Sequence, residues 1–255
     1  MNKDSLRQAA VVVSVLGALT VNILANALPI NGQSTGEISD RFEVYFTPAG
    51  YVFSIWGVIF IGWLLLAVYQ ALPAQRENPR LRKIGYPFAL SGLFNAGWLV
   101  LWHYNQFPAT LAVMLVLLAL LIVVYLRMEP RNPQVPAAEK WLVQLPVRVY
   151  LGWITVATIA NLTALLDYLQ WNGWGLRPEI WLVVVLSAAL LVALAMARTQ
   201  KDVAYLLVLV WSFVGIWVKH RAVPTVGAAA LSAAVAVALL ALSSLVSRLR
   251  AARRA

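Results

Sequence analysis

The 255-residue chain has no cysteine. It therefore forms no disulfide, offers no thiol nucleophile and builds no thiolate metal site. Charge is scarce as well: Asp, Glu, Lys and Arg together make up 12% of the residues, about half the share of a soluble domain. All ten carboxylates (Asp4, Glu37, Asp40, Glu43, Glu77, Glu129, Glu139, Asp167, Glu179 and Asp202) fall in tails, loops or the ends of apolar runs. A proton-coupled transporter uses an ionisable group near the bilayer midplane, and the sequence shows none. No lysine stands mid-run to form a Schiff base, because Lys219 closes an apolar segment. A phosphate-binding glycine loop and a nucleophile elbow are both missing. His103 and His220 lack the paired Cys/His spacing of a metal site. Nor do the two halves repeat each other, as they do in many transporters. Nothing here points to hydrolysis or group transfer, which favours a binding protein over an enzyme and leaves the question of enzymatic activity open.

What is plentiful is apolar: 62% of the residues. They come in blocks of roughly 20, each long enough to cross about 30 Å of hydrocarbon as a helix. The pattern predicts an all-α integral membrane protein, a bundle of about eight transmembrane helices over 8–28, 48–72, 84–104, 108–127, 142–167, 179–197, 202–218 and 223–247. Polar, Pro-bearing stretches such as "ALPAQRENPRLRK" and "MEPRNPQVPAAEK" separate them. The N-terminus starts like a signal peptide, but its apolar run is too long and lacks a small-x-small cleavage site, so it reads as a retained first span.

The formal net charge of +10 raises the question of a nucleic-acid partner, and position answers it. Lys3, Arg7, Arg76, Arg80, Arg82, Lys83, Arg127, Arg131, Lys140, Arg198, Lys201, Arg248, Arg250, Arg253 and Arg254 fall on the side shared by both termini. Only Arg41, Arg177, Lys219 and Arg221 fall opposite. This is the positive-inside bias, which predicts cytoplasmic termini, membrane lipid as the partner and no nucleic acid. Outer-membrane proteins are typically barrels, so a bacterial inner (plasma) membrane is the expected home. The tail "SRLRAARRA" anchors this topology beside anionic lipid.

Aromatic and amide residues recur at helical spacing in three of the spans. Phe53, Trp56, Phe60 and Trp63 share one face of the second; Gly92, Asn95, Trp98 and Trp102 do so in the third; Tyr150, Trp153, Ala157 and Asn161 in the fifth. Brought together, they would line an apolar cavity with ring faces and a few amides, suited to a flat hydrophobic ligand. The plainer reading is an interfacial aromatic belt with asparagines, Asn22 and Asn26 among them, joining helices.

"FTPAGYVFSIWGVIF", "LFNAGWLVLWHY" and "LPVRVYLGWITVATIANLTALL" resemble, in order, signatures of the tryptophan-rich sensory protein and translocator protein family (TspO/MBR). The resemblance covers about Met1 to Tyr168, five spans, and the last three spans have no counterpart in an ordinary member. It implies a TspO/MBR-like five-helix bundle over 1–168 with an additional three-helix extension over 169–255. It also implies a cavity closed by the first extramembrane loop, holding a porphyrin-like ligand, with no obligatory cofactor and a tetrapyrrole as ligand. The motif residues carried over are Trp56, Asn95, Trp98, Trp153 and Asn161, with Ala157 leaving room for a ring. Pro48 would start the helix, Gly50 would let the loop fold closely over the bundle, and Tyr51 and Phe53 would form the rim. Sensing, carriage of amphipathic solutes and porphyrin breakdown all remain open, as does a homodimer.

Overall fold

A computed structural model describes residues 2–28 and 30–252; of the basic residues counted above, Arg253 and Arg254 lie outside the described residues. The described chain is helical throughout: α1 (Lys3–Ala27), α2 (Thr35–Asp40), α3 (Ile55–Ala71), α4 (Pro79–His103), α5 (Phe107–Arg127), α6 (Ala137–Glu139), α7 (Leu145–Tyr168), α8 (Pro178–Thr199), α9 (Val203–His220) and α10 (Pro224–Ala252). A 3-10 turn, Gly50–Ser54, leads into α3, and a π-helical turn, Lys140–Gln144, joins α6 to α7.

Eight of these segments are long and apolar enough to cross a membrane, the second and fifth being Gly50–Ala71 and Ala137–Tyr168. They match the eight expected spans. Several run further at their polar ends, because good caps sit there. The Asn2 side chain accepts from the Asp4 amide at 3.3 Å. Asn78 accepts from the Arg80 and Leu81 amides at 3.0 and 3.4 Å, and Pro79 at the first helical position has no amide to satisfy. Within the most apolar stretch of each span, only 28–44% of the residues are buried by the protein itself. Val13, Ile61, Leu93 and Leu191 instead stand more than 60% exposed. Apolar surface on this scale, over helices whose backbone groups are paired internally, belongs in hydrocarbon. The protein is an all-α integral membrane protein.

The chain forms two compact units. The first comprises Met1–Arg41 and Ile55–Ile154; the second comprises Phe42–Ser54 and Thr155–Ala255. The seam therefore lies inside α7 rather than at Tyr168, and the segment ahead of α3 groups with the C-terminal helices.

In the first unit α4 packs against α1 and α5, and α1 also packs against α3. Glycines set the α1–α4 approach. A Cβ on Gly85 would come within 2.7 Å of Arg7 Cγ, and one on Gly92 within 2.4 Å of Ser14 Oγ. Both pairs are seven residues apart along their helices, so two turns mesh in register. Next along, Asn22 Nδ2 donates to Asn95 Oδ1 at 2.9 Å. Gln8 and Gln70 exchange side-chain bonds to each other's backbone carbonyls at 2.6 and 3.1 Å, tying α1 to α3. At the polar end Arg80 forks onto the buried Glu139 carboxylate at 2.6 and 3.0 Å, and Asn78 adds a bond of 2.9 Å.

The second unit packs α10 against α9 and α8. Ala230, Ala233, Ala234, Val237 and Ala241 form the buried face of α10. Small side chains at helical spacing allow this close packing.

Candidate functional site: an aromatic cluster in the first unit

The first unit brings together part of the stripes expected on the second and fifth spans. Trp56, Phe60 and Trp63 line one face of α3, because Ile55 begins regular α-helix and positions three and four apart then share a side. The Trp56 ring stacks on Phe60 at 5.5 Å between centroids. It meets Tyr150 and Trp153 of α7 at 6.4 and 6.1 Å, the latter edge to face. Trp63 also meets Tyr150 edge to face at 5.0 Å. Trp63, Tyr150 and Trp153 are buried, whereas Trp56 is only partly covered. Five large rings from two helices thus form one continuous surface at the spacings that favour aromatic contact. Gly62 makes this possible: a Cβ there would come within 2.9 Å of Pro146 Cβ, so the α3 backbone lies directly against the start of α7.

Helix α4 supplies the amide. Asn95 is buried; its Oδ1 accepts from Asn22, while its Nδ2 has no hydrogen-bond partner. The Tyr150 hydroxyl faces Asn95 without closing a well-formed hydrogen bond. The indole nitrogens of Trp63 and Trp98 are also buried and unpartnered. One turn below, Trp98 stacks on Trp102 at 5.5 Å. Polar atoms left bare in an apolar setting each cost about 1–3 kcal/mol. Four such atoms lie on α3, α4 and α7, two of them, on Asn95 and Tyr150, facing each other.

The nine residues expected from the sequence divide between the two units. Trp56, Asn95, Trp98 and Trp153 belong to the first; Pro48, Tyr51, Phe53, Ala157 and Asn161 belong to the second. In the second unit the Pro48–Ser54 segment has its own partner, helix α9. Tyr51 meets Trp211 edge to face at 5.2 Å, and Trp211 Nε1 donates to the Val52 carbonyl at 3.1 Å. Phe53 lies in the 3-10 turn, two residues ahead of α3, so the regular period starts after it. Asn161 is buried and Ala157, one turn before it on α7, is partly covered.

One expectation is corrected. A Cβ on Gly50 would meet nothing within 4 Å, whereas one on Gly215 would strike Val52 Cγ2 at 2.1 Å and approach Pro48 Cβ to 3.1 Å. The glycine that permits close approach is in α9, not in the loop. Phe60, Trp63 and Tyr150 belong to the cluster but were not singled out as site residues, although they lie on the same stripes.

The first extramembrane loop contains a short capped helix, α2. Ser34 Oγ accepts from the Glu37 amide at 3.3 Å and the Glu37 carboxylate accepts from the Ser34 amide at 2.7 Å, closing a capping box. These bonds hold the Glu37 carboxyl below its ordinary value, the Ser34 amide being the larger cause. Helix α2 is tethered to the end of α4: Asn31 donates to the His103 carbonyl at 3.0 Å, and Trp102 Nε1 to the Thr35 carbonyl at 3.4 Å.

The family model for TSPO-like protein matches residues 8–243. The chain belongs to the TSPO-like family. The match runs through α8, α9 and about the first two-thirds of α10. No curated protein and no solved structure matches the chain. A TSPO-like membrane protein with clustered aromatic residues fits, in general terms, a membrane sensor or carrier.

The second unit also contains a cavity of about 350 Å³, lined by none of the nine expected residues. Glu43, Phe46, Asp167, Trp171, Asn172 and Trp181 are among those that line it. The sequence did carry a signal for it, the densely aromatic loop "QWNGWG" between the fifth and sixth spans.

Proposed function

We propose that the protein is a membrane receptor, sensor or carrier for a flat hydrophobic ligand of porphyrin-like shape, bound against Trp56, Trp63, Tyr150 and Trp153. The observation that carries this reading is the coincidence of a broad ring surface with four unpartnered buried polar atoms, on Trp63, Asn95, Trp98 and Tyr150. A flat ligand offers π-faces to the rings, and its carbonyl, carboxylate or ring-nitrogen acceptors would satisfy the donors. The resemblance of three motifs to the TspO/MBR signatures points to a tetrapyrrole. Binding requires no chemistry from the protein, consistent with a role that is not enzymatic.

The test is a titration of detergent-purified protein with protoporphyrin, followed by ligand absorbance, with Trp153→Leu and Asn95→Leu alongside. Saturable binding by the unaltered chain, weakened at least tenfold in Trp153→Leu, is expected. Equal and non-saturating uptake by all three proteins would mean partition into detergent and would end this reading. Movement of porphyrin into sealed vesicles then separates a carrier from a sensor.

By the distribution of Lys and Arg, we place both termini on the cytoplasmic side of a bacterial plasma membrane. The cysteine-free sequence makes this simple to test. With single cysteines at Glu77 and Gln106, an impermeant maleimide applied to intact cells should label Gln106→Cys and spare Glu77→Cys; the reverse pattern overturns the orientation.

A further inference from the structure

The cavity of the second unit has a chemistry of its own. Of the side chains that line it, only Glu43 and Asp167 carry formal charge, and both are negative. In a chain where Lys and Arg outnumber Asp and Glu two to one, neither carboxylate has a cationic partner among the described residues. Their charges are close enough to interact with each other. Glu43 is exposed and Asp167 half-buried, so the pocket opens to its surroundings, and a cation placed between two like charges is attracted by both.

The rest of the wall is aromatic. Trp171 and Trp181, both lining the cavity, lie 4.8 Å apart between ring centroids at an interplanar angle of 60°. Trp174 buttresses both from outside, edge to face, at 5.5 and 5.4 Å. Their orientation is fixed by the backbone. Trp181 Nε1 donates to the Gly173 carbonyl at 2.8 Å. Gly173 itself has a φ of +61°, and a Cβ there would sit 3.0 Å from Trp181 Nε1. Only glycine suits that position. Inclined tryptophan faces beside carboxylates are how proteins hold alkylated ammonium groups, which are attracted by the rings and keep no hydration shell worth defending. The volume, about 350 Å³, is that of a small-molecule site.

We propose that the second unit binds an alkylated ammonium cation, seated against Trp171 and Trp181 with Glu43 and Asp167 as counter-charges. The site is separate from the aromatic cluster of the first unit and does not depend on the porphyrin reading. Its ligand is a free organic cation or the ammonium headgroup of a lipid, which share this chemistry.

The experiment is isothermal titration calorimetry of the full chain in a non-ionic detergent at neutral pH, with choline and with its uncharged isostere 3,3-dimethylbutan-1-ol. Saturable choline binding is expected, with the alcohol at least tenfold weaker. The double variant Glu43→Gln/Asp167→Asn and the single variant Trp171→Leu should each weaken choline at least tenfold. Circular dichroism and thermal unfolding of the same variants check that they fold; a misfolded variant is replaced by Glu43→Gln alone. Absence of saturable choline binding, equal affinity for the alcohol, or an unchanged double variant would overturn the proposal. Repeating the titration in nanodiscs assigns the source. Choline binding retained in phosphatidylglycerol discs and lost in phosphatidylcholine discs identifies a lipid headgroup, and binding retained in both identifies a free cation.

Discussion

The Ala49 amide donates a 3.1 Å hydrogen bond to the Gly215 carbonyl, part-way along α9. Pro48 and Val52 rest on the same bare stretch of helix. A backbone-to-backbone bond onto the side of a helix is feasible only where no side chain intervenes. The Pro-Ala-Gly turn before α3 is thereby held by α9, as are its neighbours: His220 lies 3.3 Å from the Thr47 carbonyl, and Tyr51 and Phe46 meet Trp211 and Phe213.

Gly215→Ala is therefore expected to destabilise the protein by about 1–3 kcal/mol, the usual cost of overpacking. Its new methyl would lie 2.1 Å from Val52 Cγ2, and Val52→Ala in the same chain should recover part of the loss. Thermal unfolding of the two single variants and the double in detergent measures this; simple additivity would show that the contact does not matter.

The Asn22–Asn95 bond predicts a second coupling. Each single change to Ala should cost about 1 kcal/mol, with the double variant costing less than the sum, because both remove one bond. In addition, Asn22→Ala leaves Asn95 intact and should spare ligand binding, whereas Asn95→Leu should not. Unfolding and porphyrin titration on the same preparations separate packing from binding.

Glu139 is buried and receives three hydrogen bonds, two from Arg80 and one from Asn78. Glu139→Gln strands the Arg80 charge and should destabilise by about 3 kcal/mol. Replacing both, as Arg80→Met/Glu139→Met, should be milder than Glu139→Gln alone. A double variant worse than the single one would refute this account.

Glu37 supplies the pH dependence of the loop. Its carboxyl is held below the ordinary value of 4.5 by the Ser34 amide and hydroxyl. A lowered value in the folded state means that the stabilisation is fully present above about 4.5 and is lost as pH falls through the folded value. Amide exchange at Ser34 and Glu37, corrected for its intrinsic rate, should accelerate as pH falls below the ordinary value of 4.5 and through the lower folded one, and Glu37→Gln should abolish that dependence.

Part of the aromatic cluster was legible before any coordinates. The stripes of α3, α4 and α7 follow from helical periodicity alone, because residues three and four apart must share a face. That Trp56 and Trp153 meet is decided by how α3 packs on α7. Sequence could not tell which partner each amide would take: Asn95 bonds Asn22 through one atom and leaves the other bare, which depends on how closely Gly85 and Gly92 let α1 and α4 approach. Nor could periodicity show that the regular stripe of α3 begins after Phe53, since a 3-10 turn changes the angular step between residues.

The sequence by itself determined the solvent and the class of fold. Eight apolar blocks of helical length admit only a helical membrane protein, since hydrocarbon leaves a backbone no other way to satisfy its hydrogen bonds. The tertiary structure decided which segments group together. A glycine in the seventh span and two acidic residues more than a hundred positions apart, Glu43 and Asp167, mean nothing in linear order. They acquire a role only when packing brings them onto common surfaces, because close approach, aromatic angle and charge proximity are properties of pairs in space rather than of residues along a chain.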